Sequence, residues 1–191
     1  MRGKNKLKVK LLTILTISIL VMVLIIIKKN FISSSNNQLR NDMYNYLSNK
    51  GNRINVYNSA VKLNGNSSAN TCVYFVSEVL RKNDVNIPGS VCNTSQLISY
   101  LKDKGWKKNT DYKQLKPGDI CFTTDESGNK DGIPSHTYIF MKWAKEGDYG
   151  YAYVCDNQAK DYENMVYHTR NVKDVGYIKN IKKDAFSFFM E

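Results

Sequence analysis

Cys72, His136 and Asp156 are the residues whose types and positions could carry covalent chemistry. Cys72 stands in SSANTCVYFVSEVL, Ser67 to Leu80, where a polar, turn-forming run passes straight into an apolar one. Counted from Cys72, the residues Phe75, Val76, Val79 and Leu80 fall at offsets of 3, 4, 7 and 8, which is one face of a helix. The spacing predicts a helix from Cys72 to about Asn83-Asp84, with Ser68, Asn70 or Thr71 as the N-cap. A cysteine at a helix start meets backbone N–H groups and a partial positive charge, which lower a thiol's pKa. Its own N–H would also face an oxyanion forming beside it. The same position suits a small buried hydrophobe, and taken alone the stretch favours that plainer role.

His136 shifts the reading. It follows a Pro-Ser turn and opens the apolar run HTYIFMKWA, so its side chain can project from a sheet edge toward a helix end. An imidazole there can act as base and then acid for a thiol nucleophile. The next apolar run ends YVCDNQ, and neighbouring antiparallel strands would bring Asp156 or Asn157 to the far nitrogen of His136. Asp156 would make the imidazole more basic, whereas Asn157 would fix only its tautomer.

Other reactive types are weaker candidates. His168 in MVYHTRN reads as a strand-surface histidine, with a spare base as the alternative. Cys155 lies mid-strand, where no helix dipole activates it, and reads as packing. Cys92 and Cys121 read as packed or free, although four cysteines in an exported chain permit two disulfides in three pairings. With two histidines and no CxxC, neither a metal nor a cofactor is expected. Tyr74, Tyr138, Tyr151 and Tyr153 could line a groove, or simply pack.

The elements that must position these residues follow from local pattern. Gln38 to Leu47 predicts a short helix stopped at Asn49-Lys50-Gly51, and Ile54 to Leu63 a second. Asn93-Thr94 caps a helix from Ser95 to Lys104, with Gly105 as its stop. Strands are expected at Asp119–Thr123, HTYIFMKWA, YAYVCD, MVYHTRNV and AFSFFM, with KEGDYG as a hairpin turn. Helices first and antiparallel strands afterwards make an α+β domain, with the helices on one face of the sheet.

The N-terminus sets the location. Leu11 to Ile27 is a run of 17 uncharged residues. As a helix it spans about 26 Å, close to the roughly 30 Å hydrocarbon core. It follows a basic stretch and is followed by Lys28, Lys29, Asn30 and Phe31 rather than a small-residue cleavage site. It reads as an uncleaved transmembrane signal anchor with the C-terminal part outside the cell; cleavage near Ser33–Ser35 with secretion is the alternative. The expected division is 1–29 as cytoplasmic basic segment and anchor, 30–50 as a polar tether with room for a short helix, and 51–191 as the domain. The net charge of +11 is concentrated in residues 1–29, which hold seven basic residues and no acid; 21 basic and 17 acidic residues remain. No long basic run is left, which argues against nucleic-acid binding.

The order of a helix-start cysteine, LKPGDI at Leu115 to Ile120, PSHTYIF at Pro134 to Phe140 and a polar strand end resembles the NlpC-type and CHAP-type cell-wall peptidases. The resemblance covers Asn64 to Gln158. It implies a papain-like fold and cleavage of an amide bond in peptidoglycan. Cys72 would be the nucleophile, His136 the base, and Asp156 the third member, with Asn157 as its alternative. Thr71 before the cysteine and Val73-Tyr74 after it are closer to the CHAP-type pattern. The third residue in NlpC-type members is often histidine, a departure here. The same residues would also serve acyl transfer to an amine. A non-enzymatic module that binds wall material or a partner, with a structural Cys72, is the reading of a different class.

Overall fold

The computed structural model describes residues 2–191, with side chains from residue 13 onward. Four α-helices come first: α1 (Arg2–Ser48), α2 (Lys50–Leu63), α3 (Cys72–Lys82) and α4 (Thr94–Asp103). Eight strands follow: β1 (Lys108–Asn109), β2 (Ile120–Thr123), β3 (Thr137–Lys145), β4 (Asp148–Cys155), β5 (Tyr167–Asn171), β6 (Gly176–Ile178), β7 (Ile181–Lys183) and β8 (Phe186–Met190). Six of them form one antiparallel sheet in the order β1-β8-β2-β3-β4-β5, and β6-β7 is a separate hairpin. The molecule is therefore α+β.

The chain divides into two units, residues 1–36 and residues 37–191. In the first, α1 carries a stretch from Thr13 that is long and apolar enough to cross a membrane. Its side chains from Ile14 to Ile27 are exposed, as a lipid-facing segment requires.

In the second unit the sheet separates two apolar layers. On the helix side, Met43 and Leu47 of α1, Val56 and Ala60 of α2, Phe75, Val76, Val79 and Leu80 of α3, and Leu97 and Leu101 of α4 pack against Ile120, Phe122, Ile139 and Cys155. Strand alternation sends Cys121, Tyr138, Phe140 and Val154 to the opposite face, where Phe186 and Phe189 join them. The period-2 pattern thus buries both faces of β2 and of the first half of β3, and these strands read as continuous apolar runs. Lys145 pairs with Asp148, leaving Glu146-Gly147 as a two-residue turn. Gly147 takes a φ of +76° there, which glycine adopts without strain.

The residues expected to form a tether, Asn30 to Asn37, are helical and belong to α1. Nothing in NFISSSNN stops a helix once its neighbours are helical, since it holds no proline or glycine. The Asn49-Lys50-Gly51 stop is a single-residue break: Asn49 ends α1 and its side chain accepts from the Asn52 N–H to cap α2, which contains Gly51. Residues 37–50 thereby fall in the same compact unit as 51–191. Sequence pattern also missed the β6-β7 hairpin and the short β1, which lack apolar alternation.

The LKPGD turn is pinned to α1. Gly118 has a φ of +94°, and a Cβ at that position would lie 2.0 Å from the Arg40 carbonyl oxygen. Asp119 is fully buried, accepts from the Lys116 N–H at 2.6 Å and lies 3.9 Å from the Arg40 guanidinium. Its backbone accepts from the Phe140 N–H at 2.9 Å, and this bond sets β2 against β3.

Candidate functional site

Cys72 is the first residue of α3. Thr71 precedes the helix but does not cap it with its side chain. Its hydroxyl instead donates to the Ser67 and Ala69 carbonyls, at 2.9 and 3.0 Å. The first N–H groups of α3 are therefore left without a side-chain acceptor. One of them, from Val73, and the Thr137 N–H at the start of β3 both act to lower the Cys72 thiol. Asn157 ties the preceding loop down by donating to the Ser68 carbonyl at 3.2 Å.

His136 immediately precedes β3. It is fixed by two bonds to Thr123: the His136 N–H donates to the Thr123 hydroxyl at 3.0 Å, and the Thr123 N–H donates to the His136 carbonyl at 3.1 Å. Its ring bonds Asp156 and stands close enough to Cys72 for each to shift the other's pKa. The Asp156 contact runs from Nε2 to Oδ2 at 2.8 Å, leaving Nδ1 for the thiol. Asp156 follows the last residue of β4, and the Ile139–Cys155 pairing brings it diagonally across to His136. The other Asp156 oxygen accepts from the Gln158 N–H at 2.7 Å.

The electrostatics follow from this series. Burial pushes the Cys72 thiol up, but the hydrogen bond and charge of His136, with the Thr137 and Val73 N–H groups, more than offset it and hold the thiol below its ordinary value. Burial pulls His136 down, but Asp156 and Cys72 hold it above the ordinary imidazole value. Asp156 is opposed by burial, yet His168, His136 and Arg170 keep its carboxyl well below the usual carboxylate range. A lowered thiol beside a raised imidazole favours the thiolate–imidazolium pair.

The structure brings Cys72, His136 and Asp156 together. It does not bring Asn157 to His136: the Asn157 amide points into the loop before α3. His168 is not on the surface. It is buried at 3% exposure, stacked on Tyr162 with ring centroids 3.5 Å apart, and its Nε2 lies 3.7 Å from Asp156 Oδ1. Its Nδ1 donates to the Met165 carbonyl at 3.1 Å. Burial, with the charges of Arg170 and His136, holds the ring below its usual value against the opposing pull of Asp156 and of that bond. The strand pairing Val154–His168 carries it to the Asp156 side, a long-range relation that local pattern does not reveal. Arg170, also missed, is buried two positions further along β5.

All four cysteines are free. Burial drives the thiols of Cys121 and Cys155 well above their ordinary value, so neither is activated. Cys92 is exposed. Tyr138 is fully buried, whereas Tyr153 stacks on Tyr167, so the tyrosines pack more than they line a groove. Among the described residues no group of three or more His, Cys, Asp or Glu side chains is arranged to hold a metal ion.

A cleft of about 480 Å³ opens beside the site, lined by His136 together with Ser135, Gln158, Arg170 and the Lys182-Lys183-Asp184 segment. No family model, curated protein or solved structure matches this chain.

Proposed function

We propose that this chain is a membrane-anchored, extracellular cysteine hydrolase with a papain-like catalytic unit that cleaves an amide bond in peptidoglycan. The observation that carries the reading is the series Cys72–His136–Asp156 at an uncapped helix start, with a lowered thiol and a raised imidazole. The wall substrate rests on the order of the cysteine, LKPGDI and PSHTYIF segments, which resembles NlpC-type and CHAP-type enzymes. The membrane location rests on the apolar stretch of α1, with the basic N-terminal residues inside the cell.

In the proposed reaction the Cys72 thiolate attacks the amide carbonyl and forms a C–S bond. The Cys72 N–H, at the start of α3, helps hold the resulting oxyanion. The imidazolium of His136 gives its proton to the nitrogen as the C–N bond breaks, and the amine leaves. Water then loses a proton to His136 and attacks the thioester carbonyl. The C–S bond breaks, the acid departs and the thiolate is restored. Asp156 keeps the imidazole oriented and basic throughout. An amine acceptor in place of water would convert the same steps to acyl transfer.

The test uses full-length protein in detergent with purified peptidoglycan. Wild type should release new amino and carboxyl ends, identified by mass analysis, and Cys72→Ala should release none. Equal cleavage by both would remove Cys72 from the reaction, and no cleavage by either would leave the binding-module reading.

A further inference from the structure

The cleft beside His136 has a polarity that the catalytic series does not use. In the amide hydrolysis proposed above, on which this inference rests, His136 gives its proton to the leaving nitrogen, so the leaving amine lies on the His136 side of Cys72. The cleft is on that side, since His136 is part of its wall.

Three cations line it, and two are already paired. Lys183 bonds Asp161 at 2.5 Å. Lys182 lies 2.7 Å from Asp184 and donates to the Glu126 carbonyl at 2.6 Å. Arg170 is different. It is 2% exposed, yet it forms no ion pair with a carboxylate among the described residues. Its guanidinium donates to the Gln158 side-chain oxygen at 3.1 Å and to the Asp184 carbonyl at 2.8 Å, both neutral acceptors. Its Nε is buried without a partner. The nearby Asp156 carboxylate, shared with His136 and His168, and the Tyr138 ring 5.1 Å away offset part of the cost of burying this cation. No carboxylate bonds the guanidinium directly, and an anion arriving beside it would recover more of that cost. Asp184 does not supply it, because its carboxylate is taken up by Lys182 and by the Ser135 hydroxyl at 2.6 Å.

We propose that this cleft is a subsite for a carboxylate carried by the leaving-group amine, as in an amino acid or a peptide end. Arg170 supplies the charge at its base and Lys182, exposed at the rim, supplies the entry. Glu126, the exposed acid of the lining, opposes a second anion at the mouth. The substrate class is thus narrowed to amides whose amine half is anionic.

The test uses two reagents that alkylate Cys72 and place a glycine unit on the amine side: N-iodoacetylglycine and its neutral amide, N-iodoacetylglycinamide. Each is reacted with full-length protein in uncharged detergent, and the acid-to-amide rate ratio is compared with that on glutathione. The ratio at Cys72 should exceed the glutathione ratio by about tenfold, the scale of one charged hydrogen bond. Lys182→Gln should reduce the excess several-fold and Arg170→Gln should abolish it. Lys145→Gln, exposed on the β3-β4 hairpin, should leave it unchanged. If Arg170→Gln does not fold, the comparison of Lys182→Gln with Lys145→Gln decides. A ratio equal to that on glutathione overturns the proposal. So does an excess that Lys182→Gln and Lys145→Gln lower equally, which would make net charge the cause. Alkylation needs no hydrolysis, so a carboxylate preference without peptidoglycan cleavage would retire the wall substrate and keep the subsite.

Discussion

His136 and Asp156 meet at 2.8 Å, with the carboxylate fully buried and the imidazole nearly so. A carboxylate held this way raises the imidazole and orients it, and removing its charge should separate the two effects. Asp156→Asn retains an acceptor oxygen and most of the geometry. We expect kcat/KM to fall by about 10²- to 10⁴-fold, the range for a lost acid–base function. The basic limb of the pH–rate profile should move to lower pH, because the imidazolium gives up its proton earlier. A lower rate with an unmoved limb would mean that Asp156 acts on structure alone.

Thiol reactivity should sort the four cysteines by environment. At neutral pH iodoacetamide should modify Cys72 fastest, because His136 and the helix start hold its thiol below the ordinary value. Cys92, exposed, should react more slowly, and buried Cys121 and Cys155 only after unfolding. Mass mapping of modified peptides against time checks the order. His136→Ala should slow Cys72 at pH 6 to 7 and converge with wild type at high pH, where every thiol is ionised.

Burial pushes the Asp119 carboxyl up to about 7, against the opposing Lys116 N–H and Arg40. The folded state therefore binds a proton that the unfolded chain releases near pH 4. Stability from this group is full below about pH 4 and declines as pH rises toward 7, since the folded state holds more protons across that window. Asp119→Asn should remove that dependence. The Tm difference between variant and wild type should grow in the variant's favour from pH 5 to pH 8, read by circular dichroism.

Gly118→Ala should destabilise strongly while leaving the chemistry intact. The new Cβ would sit 2.0 Å from the Arg40 carbonyl oxygen, and the φ of +94° is itself strained for alanine. A loss of about 1–3 kcal/mol or more is expected, with several degrees of Tm. Activity per folded molecule, titrated through the reactive Cys72, should stay near wild type.

Much of the site was legible because each member sits at a locally marked position. Cys72 begins an amphipathic helix, His136 follows a Pro-Ser turn, and Asp156 ends an apolar run. His168 and Arg170 carried no such mark. They reach Asp156 through the β4-β5 register, which no local window contains. The helices and long strands were readable from apolar period, whereas the β6-β7 hairpin was not, since its residues are largely exposed. The helical character of Asn30 to Asn37 was obscured by composition: asparagine and serine favour loops locally but do not end a helix already running.

The last turns of α1 bear on how residues 37–191 could be released. Met43 and Leu47 are fully buried, and Arg40 backs the Gly118 turn. A protease that cut between Met43 and Lys50 would strip core residues rather than trim a leash. Removing two such side chains costs about 2–5 kcal/mol each, on the scale of a whole domain's stability. Release of the second unit with both core side chains in place therefore requires a cut before Met43, and a fragment made for study should begin no later than Asn37 to keep that unit whole.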